Sequence, residues 1–570
     1  MRGGVVLGGL ALLAAVRAPA RAQGPPPSPP PAAAPGVKEG NLAERLQAVE
    51  AVNKELVERL ERAQGEAEVA RRDRDEQMRL LMRRIDDLST RLPEASPPAL
   101  DPADMDAAGV GGLAPAAPGA GALLESVPEY SGPVPEYETQ PLEPNPFHAD
   151  APGLSTIANP PRRPLESNFG PGFQFQTRDE EFLLQVHVQS QIEARVWGDS
   201  GGGAPYQNGF FFPRQRIFFN GRMTRPIEYV FSMNRGLGSF DILESFLNLH
   251  RGDRLQIRFG RYFTPMGYDQ YAVRNLWLPT PERSLFTTNL GPGRQIGLMA
   301  WGYLFDKRLD YAAGLFTGPR NSFEDRNVSK DFTGYLNMRP FQNSERFEFL
   351  KDFNAGASIA YGYQDQPAVP LAFRVGAVGP TNAEQAALAA APFLTLNPDV
   401  RERGERLLGG VHSAYFRNGL SLIGEWNYGY GGYASPLLGT SAVVPFSAWY
   451  VTAAHFLTGE HVDRRTMVVP RRPVAPTSPD QRRGIGAWEL VGRVSQLTLG
   501  RQIFDAGLAD PDLWANSATT YEAGVNWYWN EHLKVYVFWL HGHFDDPVHY
   551  GANDSRDDVN MFWMRFQLYY

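Results

Sequence analysis

Arginine is the residue type here whose abundance and spacing could do chemistry. Lysine stands only at Lys38, Lys54, Lys307, Lys330, Lys351 and Lys534, so the other 49 of the 55 basic residues are arginine. A guanidinium presents a planar fork of donors that grips an oxyanion through two bonds at once, which an ammonium cannot do. A GC-rich genome would also raise arginine together with Ala, Gly and Pro, so position has to decide between composition and chemistry. The residues worth testing are Arg214, Arg216, Arg222, Arg254, Arg258, Arg274, Arg283, Arg294 and Arg493, joined by Arg565. Arg214, Arg216 and Arg222 share one parity, opposite Ile217 and Phe219; Arg254 and Arg258 share the parity opposite Leu255, Ile257 and Phe259. Arg493 and Arg565 fall on the polar side of their own alternating runs, while Arg274, Arg283 and Arg294 lie in or after an irregular stretch where parity is silent. Glu193, Glu228, Glu244, Glu425, Glu489 and Glu522 take the same inward parity, so each arginine is either an anion contact or half of a structural ion pair. Glu282-Arg283 reads equally well as a loop-pinning pair.

The elements that would place these side chains are long alternating strands. In Leu184 to Trp197, Leu184, Val186, Val188, Ser190, Ile192, Ala194 and Val196 share one face, and Gln185, His187, Gln189, Gln191, Glu193 and Arg195 the other. A two-residue period held over about twelve residues is the length a tilted transmembrane strand needs; strands of soluble sandwiches average about five or six. Alternation returns at Leu255–Phe259, Trp488–Val494, Tyr521–Trp529 and Leu533–Trp539, and ends in Phe562, Met564, Phe566, Leu568 and Tyr570. Short turns at Arg251-Gly252-Asp253, Arg417-Asn418-Gly419 and Asn530-Glu531 contrast with the longer polar stretches Gly318–Lys330 and His461–Arg483. Short turns at one end and long loops at the other characterise outer-membrane barrels, and the stretch from Phe169 to Tyr570 accommodates about 16 strands.

The fold class expected is therefore an all-β transmembrane barrel of about 16 antiparallel strands, preceded by an N-terminal α-helical coiled coil. Residues 1–22 read as a signal peptide: Met1-Arg2, an apolar run from Gly3 to Val16, and Ala20-Arg21-Ala22 as the cleavage site, with Gln23 next. The apolar run is too short to span a bilayer, which takes about 20 residues. Residues 23–37 are Pro-rich. Residues 38–92 carry heptads, with Leu42, Val49, Leu56, Ala63 and Ala70 at d and Leu46, Asn53, Leu60 and Ala67 at a; a second seam starts at Met78 after a four-residue stutter, and Pro93 stops the helix. A stripe so narrow needs a partner helix, and Asn53 is the polar core residue that sets register; whether two or three helices join is left open. Residues 93–168 read as a linker, with Val127-Pro-Glu-Tyr130 nearly repeated at Val134-Pro-Glu-Tyr137, and residues 169–570 as the barrel.

Several stretches resemble the phosphate-selective porin O and P family. They are Pro213-Arg214-Gln215-Arg216 with Phe219-Asn220-Gly221, Leu255–Gly267, Pro281–Leu285 with Gly291–Gly297, Ala448–Glu460, Gly484–Arg493 and Gly524–Asn530. The resemblance implies a 16-stranded trimeric barrel, a loop from about Tyr262 to Pro292 folded into the pore, and selectivity for phosphate or other anions. The family's lysine cluster is absent here or replaced by arginine, since no lysine stands between Lys54 and Lys307.

A net charge of −8 gives no support for nucleic-acid binding, and the chain has no cysteine. No catalytic constellation stands out and no cofactor is implied. His541 and His543, two apart on a strand, fit a solvated rim better than a metal site. The reading is a porin, not an enzyme, for passive diffusion of small anions, phosphate foremost. Its partners are outer-membrane lipid, the anions, two further copies in a homotrimer, and the cell wall through the periplasmic coiled coil. The alternatives are a general or carbohydrate porin with aromatics along the pore, or a structural tether between outer membrane and cell wall.

Overall fold

The computed structural model describes residues 164–170, 172–198, 200, 203–325, 328–379 and 388–570. The signal peptide, the Pro-rich segment, the coiled coil and most of the linker lie outside those residues. The chain enters the described region on a hairpin, β1 (Leu165–Gly170) and β2 (Gly172–Thr177), so strand begins inside the expected linker, before its boundary at 168. Nine strands follow: β3 (Leu183–Trp197), β4 (Gly209–Thr224), β5 (Ile227–Gly236), β6 (Ser239–His250), β7 (Gln256–Phe263), β8 (Arg294–Leu304), β9 (Leu309–Phe316), β10 (Asp331–Met338) and β11 (Phe353–Pro367). A small separate pair comes next, β12 (Ala372–Val375) and β13 (Ala391–Thr395). Seven more complete the wall: β14 (Arg401–Arg417), β15 (Leu420–Ser435), β16 (Thr440–Phe456), β17 (Ala487–Leu499), β18 (Ser517–Tyr528), β19 (Leu533–Gly551) and β20 (Asp554–Tyr569).

Each wall strand pairs antiparallel with its neighbours, and β20 returns to β3, from Met561↔Trp197 to Tyr569↔Gln189. The result is a closed barrel of sixteen strands. Closure leaves no backbone edge unpaired, the condition for sheet structure in hydrocarbon. β3 is longer than its contact with β20, and β2 takes the rest of that edge, from Phe173↔Val186 to Gln176↔Leu183. Among the described residues no helix is long and apolar enough to cross a membrane.

The alternation read from the sequence is the alternation of the wall. On β3, Ile192 and Val196 are 41% and 51% exposed, whereas Glu193 and Arg195 are 1% and 0% exposed. Leu247, Phe259, Leu298, Leu315, Val411, Val451, Leu490, Phe562 and Phe566 continue the outer apolar surface. At one level of it Trp488 and Trp527 stack at 5.1 Å and Trp527 meets Trp529 at 5.0 Å, an outward aromatic cluster of the kind that sits at a membrane interface.

Connection lengths separate the two ends only in part, since 237–238, 436–439 and 552–553 are short at the long-loop end and 339–352 is long at the other, and one expected loop changes ends. The short turns at 225–226, 251–255, 418–419 and 529–532 lie at the end that carries Tyr570. The long connections 264–293, 317–330 and 368–400 lie at the opposite end. The stretch His461–Arg483, expected among the long loops, belongs to the short-turn end, because β16 and β17 bound it beside the Asn418-Gly419 turn. Val462 N–H donates to Asn418 O at 2.6 Å there, and Val474 N–H donates to Trp529 O at 2.8 Å.

The interior is not evenly filled. In the connection 368–400, Phe373, Val375, Phe393 and Leu394 are buried in one apolar cluster with Trp197, Phe544, Met561 and Trp563. Those partners project inward from β3, β19 and β20, so the β12–β13 pair packs against that wall from inside. Its burial is that of a soluble-protein core.

Candidate functional site

A second connection, 264–293, also enters the barrel, close to the span expected from Tyr262 to Pro292. Its course can be followed by the inward side chains that hold it. Gly267 N–H donates to Ser358 Oγ of β11 at 3.0 Å, and the N–H groups of Tyr268 and Asp269 donate to Glu425 Oε2 of β15 at 3.1 and 3.2 Å. Gly267 has φ +74°, and a Cβ there would stand 2.7 Å from Glu425 Oε1, so both conformation and proximity require glycine. Further along, Lys534 Nζ donates to Leu278 O at 2.9 Å, Asn526 Nδ2 to Pro279 O at 2.7 Å, and Leu285 N–H to Ser495 Oγ at 3.1 Å. The segment therefore crosses the interior, tied to β11, β15, β17, β18 and β19.

Glu282 is its main anchor. Its two carboxylate oxygens each accept from Arg214 at 2.6 Å, and Oε1 also accepts from Arg565 at 2.7 Å. Burial alone would raise the Glu282 carboxyl, but Arg214 and then Arg565 hold it well below the usual carboxylate range. Arg565 also bonds Glu193 at 2.5 Å and Pro281 O at 2.5 Å. Arg493 pairs with Glu522 at 2.6 Å and donates to Thr280 Oγ1, Glu282 O and Arg283 O at 2.9, 2.8 and 3.1 Å. Arg214, Arg493 and Arg565 thus work as fasteners. Arg294 bonds Glu244 at 3.2 Å over the ring of Phe263. Arg283 donates to Val273 O at 3.0 Å and lies 4.0 Å from Asp269; burial brings its guanidinium down to about 10, so it stays charged at neutral pH.

The remaining residues of the set fare differently. Arg254 sits in the exposed turn before β7, outside the strand, and its expected inward position is corrected: alternation starts only at Gln256. Arg216 donates to the oxygens of Asn275, Asn234 and Gln189 at 3.1, 3.3 and 3.4 Å, all neutral amides. Arg222 is inward and half-buried, with its Nε unpartnered. Arg258 lies over aromatic rings. Arg274, on the crossing segment, is exposed, and its guanidinium has no hydrogen-bond or ion-pair partner among the described residues. None of these last four has a carboxylate within ion-pair reach among the described residues.

Three of them, Arg216, Arg258 and Arg274, line one cavity of about 830 Å³ together with Arg283 and Arg294. The wall strands that line it are β3 to β11, and β14 to β20 contribute only Tyr569. The open space is eccentric, bounded by the crossing segment, while that segment and the connections 368–400 and 457–486 pack against the rest of the wall.

Two functional residues escaped the sequence. Arg320 donates to the carbonyls of Asn289 at 2.5 Å and of Thr288, closing the short helix Leu285–Asn289 on the crossing segment; nothing near it in sequence signals that role. Arg465, from the connection 457–486, enters the barrel and bonds Glu489 at 2.6 Å, Ser421 Oγ at 3.2 Å and Trp277 O at 3.2 Å. Its target was visible, since Glu489 was read as inward and had no named partner. Among the described residues no group of His, Asp and Glu has metal-binding geometry.

The family model described as "Phosphate-selective porin O and P" matches residues 399–570. That match supports the resemblance and contains its stretches at 448–460, 484–493 and 524–530; the stretches at 213–221, 255–267 and 281–297 lie outside it. No curated protein matches the chain. Among solved structures, OmpT of Vibrio cholerae is similar at 10% identity and TM-score 0.40, over 68% of this chain and 99% of that one. The anion-selective porin of Comamonas acidovorans gives the same identity, TM-score and coverage. The channel DcaP of Acinetobacter baumannii gives 10% identity and TM-score 0.40 over 70% of this chain and 100% of that one. At such distance the likeness transfers no residue role to this chain.

Proposed function

We propose that this chain, an outer-membrane porin barrel, passes small anions, phosphate among them, through the eccentric cavity along β3 to β11. The observation that carries the reading is the contrast between two arginine populations. Arg214, Arg493 and Arg565 are neutralised by Glu282, Glu522 and Glu193, whereas Arg216, Arg258 and Arg274 face the cavity without a carboxylate. Uncompensated guanidinium groups beside water and low-dielectric walls raise the local anion concentration and replace part of an anion's hydration shell. Arg216 is held by neutral amides, Arg258 by rings and Arg274 by neither, and several such moderate sites let an ion enter and leave where a single tight one would trap it. The crossing segment 264–293 narrows the path, and the assembly is read as a homotrimer on the family resemblance.

The test is the reversal potential of the purified protein in a planar bilayer under a potassium chloride gradient. A potential of the sign set by chloride supports the reading, and one set by potassium overturns it. Arg274→Gln should reduce the anion preference without lowering the amount of assembled protein.

A further inference from the structure

The eccentric cavity has an aromatic wall that small inorganic anions would leave unused. Arg258 lies with its guanidinium 4.3 Å from the ring centre of Phe246, 4.9 Å from that of Trp301 and 5.4 Å from that of Tyr262. Ring faces attract the cation but offer no lone pair, so its in-plane N–H groups still need acceptors. Nε of Arg258 is buried and has none. Tyr271 of the crossing segment and Tyr335 of β10 stand edge to face at 5.0 Å, in the same apolar cluster as Phe246, Tyr262 and Trp301. Tyr335 is 3% exposed, and its hydroxyl has no hydrogen-bond partner. Buried donors are almost always paired in folded proteins, so two orphans in one cluster are a signal.

No acid of this region pairs directly with Arg258. Asp310 is ion-paired with Arg339 at 2.5 Å and Glu244 with Arg294 at 3.2 Å; Glu228 accepts from Asn248 at 2.8 Å and contacts His250 at 2.9 Å, and neither it nor the rim acids Asp352 and Asp463 comes within ion-pair reach of Arg258. The cluster itself thus offers a cation with no direct carboxylate partner, one unpaired hydroxyl and a set of ring faces and edges.

We propose that this cluster is a binding site for aromatic carboxylates. The carboxylate accepts from the open edge of Arg258 and from the Tyr335 hydroxyl, while the solute's ring lies against Tyr271 and its neighbours. Acetate and inorganic phosphate meet the same donors but have no face to offer the rings, and a sugar has no charge for Arg258. The inference rests on the anion reading and narrows it to a solute class.

Chloride current through the full-length protein in a planar bilayer would be titrated with benzoate, cyclohexanecarboxylate, acetate and phosphate. Benzoate is expected to half-block at a concentration about tenfold below acetate or phosphate, with cyclohexanecarboxylate between them. Tyr335→Phe should raise the benzoate half-blocking concentration about tenfold, the effect of losing one hydrogen bond to a charged group. It removes a hydroxyl that makes no bond within the protein, so assembly should survive; Arg258→Gln is the companion variant and should weaken benzoate and acetate alike. Benzoate no better than acetate, or a block indifferent to both substitutions, would overturn the site while leaving the anion reading standing. A potassium-selective reversal potential in the same recordings would overturn the anion reading and the site with it.

Discussion

An inward arginine in this barrel either fastens the crossing segment or faces the open cavity, and the two roles predict opposite phenotypes. Glu282, with Arg214 and Arg565 bonded to it, is 2% exposed. Glu282→Gln leaves the buried Arg214 guanidinium without its anion and Arg565 with Glu193 alone, a change that typically costs about 3–5 kcal/mol. The denaturation midpoint should fall, and open-channel noise should rise as the segment loosens. Arg274→Gln should leave the midpoint where it is and alter only selectivity. The depressed Glu282 carboxyl also fixes the sign of a pH effect. Its contribution is fully present above the ordinary glutamate value of about 4.3 and is lost only as pH falls through the lower folded value. The tie that Glu282 makes should therefore hold from neutral pH through pH 4, and open-channel noise arising at this anchor should begin only in stronger acid. Parity made the facing of these residues legible, down to the inward glutamates. It could not say which arginine meets which acid, because Glu282 arrives from a connection that has no period. Arg254 failed for a related reason: two residues of correct parity do not make a strand when a turn occupies them.

At the scale of elements, the strands were legible and the destinations of the connections were not. A strand announces itself by its period, while a connection that folds inward has the same Pro, Gly and Arg content as one that stays outside. His461–Arg483 was assigned by length, yet the end of the barrel to which a connection belongs depends on counting every strand before it. Its placement has a measurable consequence. Arg465 ties the connection 457–486 to Glu489 on the wall and to Trp277 O on the crossing segment. Arg465→Gln should release this contact and leave Glu489 buried without its guanidinium, again at a cost of a few kcal/mol. Single-channel conductance should rise, because the connection supplies Asp463, Arg464 and Thr466 to the rim of the cavity. A conductance that stays the same or falls would show that the connection does not obstruct the path. The β12–β13 pair was missed altogether: its four and five residues are too short to show an alternation.

For the whole molecule, the closed wall, the outer apolar surface and the strand number all follow from one repeated pattern, which is why the barrel could be read before any contact was known. The segment from 38 to 92 is proposed as a self-associating coiled coil and as a spacer or anchor to the cell wall. Deleting it should leave conductance and selectivity unchanged, and lower recovery of trimers by cross-linking would mark it as an assembly element. The lopsided interior carries the last consequence. Because open space adjoins β3 to β11 while β14 to β20 lie against packed segments, the barrel is two half-cylinders with different tolerances. One is a scaffold, where volume changes should register in folding yield. The other is a lining that engineering could replace around the fasteners Glu193, Arg214 and Ser358, to admit a different solute, with the scaffold half left as an untouched chassis.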